Sequence, residues 1–207
     1  MQTEQEKFWA GSFGDEYSKR NTGVHHIAGS TAAFAKILAR TSGIGSIIEL
    51  GANIGINMHA LRALLPTVKL RALELNASAY RVLSQIPGVE AHHGSLFDFR
   101  PPEKADLAFC RGVLIHTDPA FLPYAYDALC AASRKYVLIG EYYNPTPVEV
   151  NYRGHEGQLF KRDFCAEMMA RHPLRLVDYG FVYQHDPVFP LGDMTWFLME
   201  HVTPPGS

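Results

Sequence analysis

The sequence predicts an α/β protein built on a doubly wound, mostly parallel sheet of seven strands. Short apolar segments alternate with segments of helical periodicity through most of the 207 residues, which is typical of parallel sheets covered by helices on both faces. A glycine-containing turn leads from the first strand into a helix. The last two predicted strands follow each other without a helix, which favours an antiparallel hairpin at one edge. We expect this Rossmann-like arrangement to fill a single domain over residues 1–207.

Before the first strand, residues 1–42 are predicted to form an N-terminal helical cap. Aromatic residues recur at helical intervals from Phe8 to Tyr17, and a further helix is expected over residues 32–40. The strands are predicted at residues 47–50, 70–75, 89–92, 107–111, 136–141, 174–183 and 194–200. The helices that connect them are predicted at residues 54–65, 77–85, 119–132 and 160–171.

The composition argues against several classes of function. The formal net charge is −2, without a basic run or an arginine-aromatic stripe, which argues against nucleic acid as a partner. No apolar run reaches the roughly 18 residues of a membrane span, and the acidic start is unlike a signal peptide. The three cysteines have neither a disulfide nor a metal spacing. We therefore expect a cytoplasmic protein without a metal or membrane partner that acts on a small molecule; its oligomeric state is not predicted.

The turn after the first strand has the character of a nucleotide-type cofactor site. It reads Glu49-x-Gly51-x-Asn53-x-Gly55, so Gly51 allows a sharp turn and Gly55 lets the following helix pack closely. A dinucleotide site would show Gly-x-Gly-x-x-Gly, so NAD is the weaker interpretation. Glu74 ends the next strand, where a carboxylate can accept hydrogen bonds from both ribose hydroxyls. The turn holds no lysine or arginine, as expected for a cofactor without phosphate.

This turn resembles motif I of class I S-adenosylmethionine (SAM) methyltransferases, often acidic-x-Gly-x-Gly-x-Gly, with Asn53 at the place of the second glycine. Residues 93–98 resemble the adenine loop of that superfamily, and residues 109–116 resemble its segment under the methionine moiety. The resemblance implies SAM as cofactor and S-adenosylhomocysteine as product. It places Glu49 near the methionine portion, and Arg20 is expected to meet the carboxylate of SAM. The predicted cofactor-binding residues are Tyr17, Arg20, Glu49, Gly51, Asn53, Gly55, Asn57, Glu74, Ser95, Leu96 and Arg111.

The segment from Gly140 to His155, GEYYNPTPVEVNYRGH, is more distinctive than the turn. Together with FWAGSFGDEY at residues 8–17 and FKRDF at residues 160–164, it resembles the methyltransferase-like family named for its association with pseudaminic acid biosynthesis. Some similar small proteins are azetidine-2-carboxylate synthases. The resemblance covers nearly the whole chain and implies the fold and the cofactor.

Residues 140–160 are predicted to form a lid over the substrate site, because they leave the fifth strand where the strand ends open onto the ligand. The alternative is a loop that only covers the sheet. The candidate catalytic residues are His116, Glu141, Tyr143, Asn144 and His155. The candidate substrate-binding residues are Tyr142, Tyr152, Arg153 and Tyr183.

For some of these residues the sequence leaves a structural role open. His116 either removes a proton from the acceptor or packs against the cofactor, while Asp118 caps the next helix. Arg153 either binds an acceptor carboxylate or pairs with Glu149 or Glu156.

These observations predict a SAM-dependent enzyme that transfers a methyl group to a small-molecule acceptor in secondary or sugar and amino-acid metabolism. The first alternative is a cyclase that closes the aminobutyrate arm of SAM to azetidine-2-carboxylic acid and releases methylthioadenosine. The second alternative is a SAM-binding module without catalysis.

Overall fold

The computed structural model describes residues 3–20 and 23–202. The described part of the N-terminal cap contains the helices α1 (Glu4–Ala10), α2 (Ser12–Arg20) and α3 (Val24–Leu38). A capping box starts α1, because the Thr3 hydroxyl accepts from the Glu6 N–H while the Glu6 carboxylate accepts from the Thr3 N–H. The predicted helical character of this part of the chain is therefore found in the described residues.

The helix α3 starts well before residue 32, so the prediction of a helix over residues 32–40 was wrong at its start. Its buried positions include Gly29 and Ser30 as well as Phe34 and Ile37. Small and polar residues on a buried face hide the apolar periodicity from which a helix is predicted.

Seven strands form one sheet: β1 (Ser46–Leu50), β2 (Lys69–Glu74), β3 (Val89–His93), β4 (Ala105–Arg111), β5 (Ser133–Glu141), β8 (Leu174–Val182) and β9 (Met194–His201). Their order in the sheet is β3-β2-β1-β4-β5-β9-β8. The first five strands of this order are parallel, β9 runs antiparallel to β5, and β8 pairs antiparallel with β9 at the edge. This confirms the predicted α/β fold with a mostly parallel sheet and an edge hairpin.

Helices cover both faces of the sheet, as a doubly wound arrangement requires. They include α4 (Ile56–Leu64), α5 (Ala77–Leu83), α6 (Leu122–Ala132) and α7 (Phe164–Arg171). Ile47 of β1 belongs to an apolar cluster with Met58 of α4, whereas Ile48 belongs to a second cluster with Met168 of α7. Neighbouring residues of β1 thus face opposite layers. Among the described residues, no helix is both long and apolar enough to cross a membrane.

The helix predicted over residues 160–171 begins only at Phe164. Its start is fixed by Asp163, whose carboxylate accepts from the Ala166 N–H at 2.9 Å. The preceding residues form β7 (Phe160–Lys161), which pairs with β6 (Val148–Glu149) inside the lid. Two-residue strands carry too little periodicity to be predicted.

The helix predicted over residues 119–132 starts with a 3₁₀ turn, Pro119–Phe121, which precedes α6. Asp118 accepts from the Ala120 N–H at 2.8 Å, which confirms its predicted capping role. This contact fixes the chain shortly after β4, where residues enter the candidate site.

Candidate active site

A cavity of about 480 Å³ lies at the carboxyl ends of the parallel strands. Its lining comes from the chain after β1, β2, β4 and β5, and from α1, α2 and the lid. Ligands of doubly wound sheets bind at this edge, and the volume suits a small molecule.

The glycine turn forms one wall of the cavity. Gly51 and Asn53 have positive φ angles of 87° and 49°, a region that favours glycine and tolerates asparagine. This explains why asparagine can stand at the place of the motif's second glycine. The Gly51 N–H donates to the Leu73 carbonyl at 2.8 Å and ties the turn to β2. A β-carbon at position 51 would lie 2.5 Å from Cγ2 of Val113, so this position also needs glycine for space.

Gly55 stands outside the cavity lining, and its contact with the cofactor stays a prediction. It precedes α4 with a φ of 85°. A β-carbon at this position would lie 2.3 Å from Cδ1 of Ile86 and 2.9 Å from Cδ1 of Leu83. The absence of a side chain at Gly55 therefore allows the turn to pack closely against Leu83 and Ile86, in line with the close packing that the sequence predicts.

Glu74 lines the cavity at the end of β2 with a buried carboxylate. Its two oxygens accept from the backbone N–H groups of Asn53 and Asn76, both at 2.6 Å. Burial raises the pKa of Glu74, whereas these N–H groups oppose that rise. An ionised carboxylate has about four acceptor sites, so Glu74 keeps acceptor capacity for the hydroxyl groups of a ligand.

A polar network runs from Glu49 on β1 to Ser30 on α3. Glu49 Oε1 accepts from Asn57 Nδ2 at 2.6 Å, and Asn57 Oδ1 accepts from Arg111 Nη1 at 2.9 Å. The same Nη1 also donates to the Ser30 hydroxyl at 2.8 Å. All four residues line the cavity, and among the described residues Glu49 Oε2 is buried without a hydrogen-bond partner. The network can therefore offer a carboxylate to a cationic group and a guanidinium to an anionic group.

The pKa values in this network reflect burial. Burial raises the pKa of Glu49 to about 8, although the hydrogen bond from Asn57 and the charge of Arg111 act in the opposite direction. Burial also lowers the pKa of Arg111. A cationic ligand group beside Glu49 would favour its ionised form.

Glu141 holds the loop that follows β4. Its carboxylate accepts from the N–H groups of Val113 and Leu114, both at 3.1 Å, and from that of Ile115 at 3.3 Å. Burial raises the pKa of Glu141 to about 7, and these N–H groups oppose the rise. Because its oxygens already serve the backbone, the predicted role of Glu141 as a base gains no support from the geometry.

His116 ends the turn that Glu141 holds, and it lines the cavity. Its Nδ1 lies 2.6 Å from the Gln158 carbonyl, so Nδ1 carries the proton and Nε2 remains an acceptor. Burial lowers the pKa of His116 to about 4, which keeps the ring neutral at pH 7. The imidazole packs 4.5 Å from the Trp9 ring and 4.9 Å from the Tyr152 ring.

Aromatic side chains line the cavity on the side of the N-terminal cap and the lid. Trp9 lies 5.2 Å from Tyr17 and 6.3 Å from Tyr152, measured between ring centres. Tyr142 also lines the cavity, and burial raises the pKa of Tyr17 to about 12. Sequence reasoning missed Trp9 as a site residue, because its helical spacing with other aromatic residues indicated only a packed helix.

Asn76 is a second missed residue, although it joins the N-terminal cap to the sheet. Its Nδ2 donates to Asp15 Oδ1 at 3.0 Å and to the Trp9 carbonyl at 3.2 Å. Its Oδ1 accepts from the Ala79 N–H at 2.9 Å and thereby starts α5. The available signal was an asparagine just before a predicted helix and just after Glu74.

Two further predicted cofactor-binding residues, Arg20 on α2 and Ser95 after β3, lie outside the cavity lining. The Arg20 guanidinium lies 5.8 Å over the Phe13 ring. The Ser95 hydroxyl donates to the Glu6 carboxylate and accepts from the Phe97 N–H at 3.1 Å. The cofactor contacts of Arg20 and Ser95 therefore stay predictions, while Leu96, adjacent to Ser95, does line the cavity.

Four predicted residues in or near the lid also lie outside the lining: Tyr143, Asn144, His155 and Tyr183. The Tyr143 ring packs 5.9 Å from Phe197, and the Tyr183 ring packs 5.4 Å from His185. Asn144 Nδ2 donates to the Thr146 carbonyl at 2.6 Å, and His155 packs 5.0 Å from Phe8. These contacts place the four side chains beside other partners, and their roles at the site stay predictions.

Comparison with known proteins relates this geometry to one group of enzymes. No protein-family model matches the chain, and no curated protein matches it in sequence. Among solved structures, magnesium protoporphyrin IX methyltransferase from Synechocystis PCC 6803 with bound SAM superposes with a TM-score of 0.70 at 11% identity, covering 97% of this chain and 98% of that one.

Two further structures agree with this comparison. An amino pentose methyltransferase from Micromonospora echinaspora, involved in calicheamicin biosynthesis and also SAM-bound, gives a TM-score of 0.65 at 14% identity, covering 93% of this chain and 97% of that one. Mitomycin 7-O-methyltransferase gives a TM-score of 0.72 at 14% identity, covering 97% of this chain and 61% of that one. Likeness at such low identity concerns the fold, and this chain has the fold of SAM-dependent methyltransferases.

Proposed function

We propose that this protein binds SAM in the cavity and transfers its methyl group to a small-molecule acceptor. The observation that carries the proposal is the meeting, in one cavity, of the glycine turn, Glu74 and the network of Glu49, Asn57 and Arg111. Solved structures of the same fold hold SAM, and their names include amino pentose and mitomycin methyltransferases. These names support a small acceptor, in line with the secondary, sugar or amino-acid metabolism that the sequence suggests.

The residues present fit SAM by their chemistry. Glu74 has acceptor capacity for the ribose, and Leu75, Leu96 and Phe97 offer apolar surface for the adenine. The unpartnered Oε2 of Glu49 suits the ammonium group of the methionine portion. The neighbouring Arg111 suits its carboxylate.

SAM, when bound, supplies an electrophilic methyl group on a positively charged sulfur. Trp9, Tyr17 and Tyr152 exclude water from the cavity and offer ring faces to a cation, an attraction of about 0.5–2 kcal/mol per ring. The chain contributes mainly by aligning the acceptor and desolvating it.

Among the lining residues described, His116 offers a destination for a proton of the acceptor. Because His116 is neutral and donates through Nδ1 to Gln158, its Nε2 can accept a proton. Glu141 is bound by backbone N–H groups instead. A pKa of about 4 makes His116 a weak base, which suits an acceptor whose proton is already acidic or leaves late in the reaction.

A second candidate function is favoured by Glu49. Closure of SAM's own arm to azetidine-2-carboxylate forms a bond between the amine nitrogen and Cγ, breaks the bond between Cγ and sulfur, and releases methylthioadenosine. This reaction needs a group that takes the proton from the amine. Glu49, with an unpartnered oxygen and a pKa of about 8, is matched to an α-amine with a pKa near 7.7–8.0.

Mass spectrometry of the nucleoside product tests these functions. We expect S-adenosylhomocysteine when the protein meets SAM and a metabolite extract, and no product with SAM alone. If SAM alone gives methylthioadenosine above the spontaneous background measured without protein, the protein is a cyclase and not a methyltransferase. Calorimetric binding of SAM without either product would indicate a module without catalysis. Absence of binding would overturn the proposal.

A further inference from the structure

Arg153 occupies an energetically costly backbone conformation at the tip of the lid. Tyr152 and His155 exchange backbone hydrogen bonds at 2.9 and 3.0 Å, which closes a tight hairpin. Arg153, inside this hairpin, has a φ of 53°, and the following Gly154 has a φ of 89°. Two successive residues with positive φ are typical of turns that favour asparagine or glycine, and a long side chain there is unfavourable. Such strain is found at functional sites, where the side chain serves a ligand.

The guanidinium of Arg153 has no anionic partner among residues 3–20 and 23–202. The two carboxylates that the sequence offers it do not pair with it, and Oε1 of Glu149 accepts instead from the Gly157 N–H at 2.6 Å. The guanidinium lies over the Tyr152 ring, 5.8 Å from its centre. Arg153 nevertheless lines the cavity.

The acidic residues that line the cavity have other partners. Glu74 binds the turn, Glu141 binds the backbone after β4, and Glu49 binds Asn57. Glu6 accepts from the Thr3 N–H at 3.0 Å and from Ser95. No described acid that lines the cavity therefore pairs with Arg153. Its side chain is exposed to solvent at the cavity, so its guanidinium is accessible to an anionic ligand.

We propose that Arg153 binds an anionic group, a carboxylate or a phosphate, on the methyl acceptor. Arg153 belongs to the lid, whereas Arg111 lies beside Glu49 and Asn57, where the cofactor tail is expected. The hydroxyls of Tyr142 and Tyr152, which line the cavity with Arg153, can donate to the same anion. The inference rests on the proposed function, because it assigns the anion to the acceptor of that reaction.

The test uses acetate and inorganic phosphate as probes of the protein saturated with S-adenosylhomocysteine. Ionic strength is held constant with sodium chloride, and tryptophan fluorescence is the readout, because Trp9 lies 6.3 Å from Tyr152 and the chain has only 2 tryptophans. We expect saturable binding of at least one probe, weakened about tenfold or more in Arg153→Ala. Arg153→Lys should fall between the two, because lysine keeps the charge without the planar fork.

Lys135→Ala is the matched control. Lys135 also carries its charge over an aromatic ring, 5.0 Å from the centre of Tyr136, but stands outside the cavity lining, so its removal should leave the probes' affinity unchanged. Equal probe affinity in Arg153→Ala and the wild type, or no binding of either probe, would overturn the inference. A loss of affinity for S-adenosylhomocysteine, with methylthioadenosine unaffected, would also overturn it, because Arg153 would then hold the cofactor's carboxylate.

The ligand-free protein separates this inference from the proposed function. If S-adenosylhomocysteine does not bind at all, the proposed function fails. The same anion titration on the ligand-free wild type and Arg153→Ala still shows whether Arg153 forms an anion site.

Discussion

At Glu49, the ionised carboxylate that would bind a cationic ligand group lowers the stability of the folded chain. Its pKa rises from 4.5 to about 8 on folding because the group is buried. The folded chain therefore holds this proton more tightly than the unfolded chain does. Its contribution to stability is fully present below pH 4.5 and declines as the pH rises towards 8.

The variant Glu49→Gln should therefore be more stable than the wild type at pH 8, by on the order of 1–3 kcal/mol, and about equally stable at pH 4.5. Urea unfolding at both pH values measures this difference. The same variant should bind S-adenosylhomocysteine more weakly, because an amide cannot neutralise an ammonium group. An unchanged dependence of stability on pH would contradict the assigned cause of the pKa shift.

Gly51 provides a second prediction for a single residue. Gly51→Ala combines a φ of 87° with a contact of 2.5 Å to Val113, so we expect it to lower the free energy of unfolding by about 2–4 kcal/mol and to abolish SAM binding. Gly43 has a φ of 67° but meets only Lys135 Nζ, at 3.9 Å. Gly43→Ala should therefore cost about 1 kcal/mol and leave SAM binding intact. If urea unfolding shows that Gly51→Ala and Gly43→Ala lower the free energy of unfolding equally, Val113 moves to accommodate the new methyl group.

The sequence predicts individual site residues well where a short local pattern determines their position. Glu49, Gly51, Asn53 and Glu74 belong to the turn and the adjacent strand end, and all of them line the cavity. Only some of the predicted lid residues line the cavity, since an irregular segment gives no rule for which side chains point inward. His155 illustrates this, because its partner Phe8 comes from a helix far away in sequence.

At the scale of elements, the N-terminal cap is held to the sheet through the Asn76 side chain. Asn76→Asp keeps the oxygen that starts α5 but removes the donor to Asp15 and places two carboxylates together. We expect faster hydrogen exchange in residues 3–20 with little change in α5. Asn144→Asp, outside the cavity lining, is the control and should leave residues 3–20 unchanged. Unaltered exchange in Asn76→Asp would show that aromatic packing alone holds the cap.

Elements of the sheet could be predicted from the sequence because buried parallel strands are short apolar segments separated by helices. Each predicted main-sheet strand overlaps an observed one, from β1 to β9. The small pair of β6 and β7 could not be predicted, since its pairing depends on the path of the lid. The start of α3 was missed because its buried face carries small residues.

At the scale of the whole molecule, the cavity couples ligand binding to global stability. S-adenosylhomocysteine at 100 times its dissociation constant should add about 2.7 kcal/mol to the free energy of unfolding. For a chain of 207 residues this corresponds to a rise of about 5–11 °C in Tm. Differential scanning calorimetry measures it, and NAD at the same concentration is the control without effect. Stabilisation by NAD alone would contradict the interpretation of the glycine turn.

The order of the strands follows from general rules for α/β sheets, but the shape of the cavity does not. It requires the N-terminal helices to meet Asn76 and the lid, contacts that no local pattern specifies. The sequence therefore predicts the edge of the sheet at which a ligand binds, whereas the depth and the polarity of the site depend on the complete packing.

The longest of these contacts joins Gln5 Nε2 to the Gly157 carbonyl at 3.0 Å, across 152 positions of the chain. During synthesis, α1 and α2 therefore leave the ribosome long before their docking surface exists. Helices of 7 and 9 residues are too short to persist alone in water. The residues of α1 and α2 therefore remain unstructured until nearly the whole sheet has assembled. Competence to bind ligand is thus acquired at the end of folding, by two helices that are made before the sheet on which they dock.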